Sequence, residues 1–111
     1  MRILAIEREQ TTPVHANLHD LLRDEAAALW ELHQRDIIRE LWFTANDRHA
    51  IIMLECPNAI EARKHLATLP LVRTGLIDFT LHELRSYDGF ERLFATGTEP
   101  LVLKREEPAE Y

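Results

Sequence analysis

Glycine is scarce in this chain: three residues in 111. No GxGxxG, GxxxxGK[ST] or GxSxG pattern occurs, so dinucleotide-binding, P-loop and nucleophile-elbow readings have no support. Cysteine is scarcer still. The single Cys56 cannot close an internal disulfide, which fits a reducing compartment and an inert, partly buried thiol. No apolar run approaches the roughly 18 residues a membrane span needs. The opening MRILAIERE has neither a basic leader nor a long apolar stretch, so no signal peptide is expected and a cytoplasmic protein is. Basic residues are outnumbered, 13 Lys and Arg against 19 Asp and Glu, for a net charge of −6. Without a basic face, nucleic acid is not an expected partner.

What remains is enough for one domain with a core of its own; a chain of this length buries roughly two-thirds of its unfolded surface. The most informative stretch is Ile37 to Glu55, IIRELWFTANDRHAIIMLE. It holds two β-type runs joined by a polar turn in which Asn46 and Asp47 tolerate positive φ. A first strand is expected from Arg2 to Arg8. Asn17 is placed to cap a helix from about Leu18 to Gln34. On that helix Leu18, Leu21, Leu22, Ala28, Leu29 and Leu32 form one stripe, with Glu25 out of pattern in its middle.

Pro57 and Asn58 open a second helix to about Leu69, which Pro70 stops, with residues 71–75 as the link to the last strand. That strand, Leu76 to about Leu84, alternates Ile77, Phe79 and Leu81 with Asp78, Thr80 and His82. A short aromatic helix or turn is expected over Tyr87 to Phe94. The order is β-α-β-β-α-β, an α+β ferredoxin-like domain with a four-stranded antiparallel sheet over residues 1–95. Two helices on one sheet face leave the other face open and apolar, and a second copy packed sheet to sheet would cover it. A homodimer is therefore expected, with the polar tail 96–111, through Leu101 to Leu103, docking on the neighbour or staying loosely ordered.

The segments LWELHQRDIIRELWF, LATLPLVRTGLIDF and HELRSY together resemble the muconolactone isomerase-like group of the dimeric α+β barrel superfamily, over Glu25 to Tyr87. The resemblance implies two sheets facing across a dimer, with a ligand pocket between each sheet and its own helices. The superfamily holds lactone isomerases, cofactor-free monooxygenases, haem-degrading enzymes and proteins without assigned activity.

Candidate chemistry rests on a few side chains. Glu25, turned into the helix–sheet interface, would have its pKa raised toward the range of a general acid or base; alternatively it ties helix to strand through Arg39. His49 and His82 are candidates for proton transfer, with Arg39, Trp42 and Asp78 binding substrate. The plainer placement has His49 exposed beside the turn and His82 hydrogen-bonded at the dimer interface. His15 and His19 have i, i+4 spacing, but Ala16 stands where a metalloprotease glutamate would, so no functional metal site is expected. The aromatic set Trp30, Trp42, Phe43, Phe79, Tyr87, Phe90 and Phe94 could line a flat pocket for a ring-shaped ligand; more often such residues are core and dimer contact, and here they read as core. The functional expectation is a cofactor-independent isomerase moving a proton on a small unsaturated lactone or related acid. A non-catalytic dimeric binding module and a cofactor-free monooxygenase are the alternatives.

Overall fold

The computed structural model describes residues 1–10 and 17–94; His15 and the tail 96–111 lie outside them. Strand β1 (Arg2–Glu9) is followed by helix α1 (Leu18–Gln34), the hairpin strands β2 (Ile38–Phe43) and β3 (Ala50–Glu55), helix α2 (Ala59–Leu66), a short helix α3 (Pro70–Arg73), and strand β4 (Ile77–Glu83). A 3-10 turn, Gly89–Leu93, comes last. All strand pairs are antiparallel, in the order β2-β3-β1-β4. This is the expected α+β ferredoxin-like sheet. No helix among the described residues is long and apolar enough to cross a membrane.

Period-two alternation sorts the sheet into two faces. Ile3 and Ala5 on β1, Ile52 and Leu54 on β3, and Phe79 and Leu81 on β4 are all buried under the helices. They meet Leu32 of α1, Ala59, Ala62 and Leu66 of α2, and Leu69, forming one core. The opposite face carries Leu4, Ile6, Ile51, Met53, Thr80 and His82, all half-buried. That face is apolar along β1 and β3, as the strand pattern requires.

Helices α1 and α2 start differently, and only α2 has the side-chain cap expected. The Asn58 side chain accepts the Glu61 N–H at 2.9 Å and starts α2. Asn17 precedes α1 but makes no side-chain cap; only its carbonyl is used, by the Leu21 N–H. At the other end of α1 the Asp36 N–H donates to the His33 carbonyl and the Ile37 N–H to that of Leu32. That is a Schellman closure, with Asp36 at φ 60°. Ile37 and Leu32 pack in the core beneath it.

Strand β2, at the sheet edge, leaves Leu41, Trp42 and Phe43 exposed. Three sequence expectations need correction, the first in the β2–β3 hairpin. Positive φ in its turn falls on Arg48 (53°), not on Asn46 or Asp47. The link after α2 is helical, since Pro70, at the first position of α3, starts a turn as readily as it ends one. Finally, the aromatics are not core. Phe79 is buried, whereas Trp30, Trp42, Phe43, Tyr87, Phe90 and Phe94 are exposed; the interior is filled by aliphatic side chains.

Asp36 pays the steric cost of a left-handed backbone that glycine would not. Asp36→Gly is expected to stabilise the fold by about 0.5–1 kcal/mol, net of the entropy glycine adds to the unfolded chain. A rise in the urea midpoint at unchanged slope checks this.

Candidate functional site

Between α1 and the outer half of the sheet lies a pocket of about 190 Å³. Leu29 of α1 and Leu41, Phe43, Ala50, Ile52 and Phe79 of the sheet make its walls, with Trp42 at the β2 edge. Glu25 is its one ionisable lining residue. Small Ala50 stands opposite Phe43 in the β2–β3 register and leaves room at that end of the pocket. The walls are aliphatic and aromatic, and on the β2 side Leu41, Trp42 and Phe43 leave the pocket open to solvent.

Glu25 is only 6 % exposed. Its Oε1 accepts the Leu71 N–H at 3.1 Å, a donor that the first turn of α3 leaves unpaired. Oε2 has no hydrogen-bond partner among the described residues. Burial pushes the Glu25 carboxyl above its ordinary value of 4.5; the Leu71 bond and the Arg73 charge pull it down, and the Glu7 carboxylate adds to the rise. The expected alternative, a Glu25–Arg39 ion pair, is not what the chain forms. Arg39 sits at the β2 bulge and donates its Nε–H to the Asp36 carbonyl at 3.1 Å, in solvent.

Glu7 was not singled out by sequence, although the alternation Ile3, Ala5, Glu7 assigns it to the helix-facing side of β1. Where the β1–β3 ladder runs out, its Oε1 accepts the Ala50 N–H at 3.0 Å. His49, just before β3, places Nε2 3.1 Å from Glu9 Oε1. That bond, and the charges of Glu7, Glu9 and Asp47, raise the His49 pKa above 6.5. Glu25 and His49 thus stand on either side of Glu7, whose charge reaches both.

The remaining candidates are elsewhere. His82 pairs with Leu4 in the β1–β4 register and lies on the open face, across the sheet from Glu25. Asp78 is held between two guanidiniums, Arg8 at 2.9 Å and Arg63 at 2.8 Å. With its bond to the Phe79 N–H, they hold its carboxyl below the ordinary carboxylate value against the opposing effect of burial. Trp42 reaches the pocket edge while its indole N–H donates to Glu40 at 3.3 Å. Of the six expected residues, Glu25 and Trp42 line the pocket, whereas His49, His82, Asp78 and Arg39 do not. Among the described residues no cluster of His, Cys, Asp or Glu could hold a metal ion. Cys56 is buried, and burial raises its thiol pKa.

A carboxyl whose folded pKa is raised stabilises the fold fully below its unfolded value, and loses that contribution as pH climbs through the folded value. Wild type should therefore be most stable relative to Glu25→Gln in acid, and fall behind as pH rises above 4.5. Urea denaturation of both proteins across that window measures it. A pH-independent difference would mean that Glu25 titrates as a solvated carboxylate.

Comparison with known proteins gives the same architecture. No family model matches the chain, and no curated protein does. Among solved structures, muconolactone isomerase superposes with a TM-score of 0.67 at 18% identity, over 89% of this chain and 98% of that one. The 5-chloro-2-hydroxyhydroquinone dehydrochlorinase TftG of Burkholderia phenoliruptrix AC1100, complexed with 2,5-dihydroxybenzoquinone, superposes with a TM-score of 0.56 at 15% identity, over 80% and 98%. The chain therefore has the ferredoxin-like α+β fold of muconolactone isomerase.

Proposed function

We propose that the chain is a cofactor-independent isomerase that moves a proton on a small unsaturated lactone or related acid. The observation that carries this reading is the Glu25 carboxyl, buried in an apolar pocket with Oε2 unbonded. A carboxylate with a raised pKa is a stronger base than a solvated one, and its conjugate acid can return the proton. In the ionised form, Oε2 takes a proton from a ring carbon beside the lactone carbonyl. The C–H electron pair passes into the conjugated system as an enolate, the Glu25 carboxylic acid exchanges its proton with solvent, and Oε2 then delivers a proton to another ring carbon. Atoms and charge balance without a redox partner. His49, with Glu9 behind it, is proposed to exchange protons with solvent at the pocket end, and the Trp42 edge to bound the ring. The likeness to muconolactone isomerase supports the substrate class.

Proton NMR of muconolactone with the protein in D₂O tests the reading. Deuterium should enter the ring in the presence of wild type, and Glu25→Gln should slow its entry by about 10²–10⁴-fold, the usual worth of a general base. Absence of exchange with wild type sinks it.

A second reading, a non-catalytic dimeric module, draws on the Leu71 bond, which gives Glu25 a purely structural reason to be buried. Under either reading we propose a homodimer in the cytoplasm, formed face to face. Leu4, Ile6, Ile51 and Met53 make a contiguous apolar strip on the open face, with His82 and Thr80 beside it. Met53→Glu places a charge in that strip and should convert a dimer to monomers in sedimentation velocity, whereas a monomeric wild type would dismiss the interface.

A further inference from the structure

The turn between β2 and β3 holds its backbone with three hydrogen bonds. The Thr44 N–H donates to the His49 carbonyl at 2.9 Å, the His49 N–H to Thr44 Oγ1 at 2.9 Å, and the Arg48 N–H to the Thr44 carbonyl at 3.1 Å. Within it Arg48 adopts φ 53°, a left-handed conformation that side chains seldom take. This geometry folds its side chain back over the hairpin. The guanidinium carbon lies 4.5 Å from the centroid of the Phe43 ring. Phe43 is a wall of the pocket that contains Glu25, so a positive charge is stacked on one of that pocket's wall residues.

That charge is not spent within the protein. Arg8 and Arg63 are paired with Asp78, and Arg39 donates to the Asp36 carbonyl. Among the described residues Arg48 has neither an ion pair nor a side-chain hydrogen bond, only the ring beneath it. Stacking on an aromatic face orients a guanidinium and leaves its N–H edges open for a planar, bidentate acceptor.

Resting on the reading of this pocket as the reaction site, we propose that Arg48 is its anion-binding residue, and that the ligand class is a small flat ring carrying one carboxylate. The ring occupies the apolar interior beside Glu25, and the carboxylate points outward to the Arg48 fork. Arg48 thereby takes the substrate-binding role that sequence gives to Arg39, whose guanidinium is held at the α1–β2 junction. A ring without the anionic arm gains nothing at the rim. A small anion without the ring gains nothing from the walls.

Binding can be separated from turnover with 2-furoate and its neutral analogue 2-furamide, neither of which offers a proton for the proposed isomerisation. Titrations of each are followed through the Trp42 indole and the Phe43 and Ala50 amide resonances of the full chain, with acetate as a ringless control. Wild type should bind 2-furoate more tightly than 2-furamide and acetate. In Arg48→Gln the furoate Kd should rise about tenfold or more, equivalent to roughly 1.4 kcal/mol, while the furamide Kd moves less than about twofold. Arg48→Lys, which keeps the charge but loses the fork, should fall between the two. Arg48→Gly relaxes the left-handed backbone and repeats the test if the glutamine variant fails to fold.

The proposal is overturned by no saturable furoate shift in wild type, by an unchanged furoate Kd in the variants, or by an equal loss for furamide. Acetate binding as tightly as furoate would leave a general anion site and also overturn it. Arg48-dependent furoate binding in a protein that exchanges no lactone proton would remove the isomerase reading and leave the anion site standing. Lactone exchange without that dependence would do the reverse.

Discussion

The hydrogen bond from the Leu71 N–H to Glu25 is the contact on which the interior arrangement turns. Burying a carboxyl in an apolar interface is costly, and one backbone donor offsets only part of that cost. The donor comes from the start of α3, which begins there because Pro70 follows Leu69 out of α2. The acceptor comes from the middle of α1. One bond therefore joins α1 to α3 on the same face of the sheet, and the carboxyl it holds is the ionisable group that lines the pocket.

Much of this frame was legible in the chain. The limits of α1 follow from a sharp apolar period and a terminal Gln34, and the structure places them at Leu18 and Gln34. Strand β4 was written by its alternation, and Phe79 and Leu81 are buried as that alternation requires. Glu25 stood out because a carboxylate inside an apolar stripe breaks the pattern. Its partner did not, since Leu71 is 46 residues away and contributes a backbone group, which no side-chain pattern reports. Glu7 could have been found by carrying the β1 alternation two residues further. Arg48 could not. Its position depends on a left-handed backbone at a residue with no local preference for one.

The stripe on α1 also reads more apolar than the helix is buried. Leu18 and Leu22 are exposed, while Leu32 is covered and Ala28 and Leu29 pack against the core. Sheet twist is the physical reason that periodicity overstates burial: a straight helix laid on a twisted sheet contacts it closely over part of its length. The aromatics behave likewise. Their hydrophobicity implies contact, but on edge strand β2 and in the 3-10 turn there is no second layer within the chain to provide it.

Arg63 shows how the sheet's borders constrain assembly. From α2 it reaches the outer side of β4, donating to the Phe79 carbonyl and to Asp78. An edge carbonyl that would otherwise welcome another strand is thus already occupied. At the opposite border, β2 breaks register between Ile38 and Glu40, and a bulged strand is a poor template for pairing. With both borders blunted, lengthening the sheet by adding strands end on end is disfavoured. The face-to-face pairing proposed above is the association these borders leave unhindered, since a stack closes on itself at two and a ribbon does not close at all.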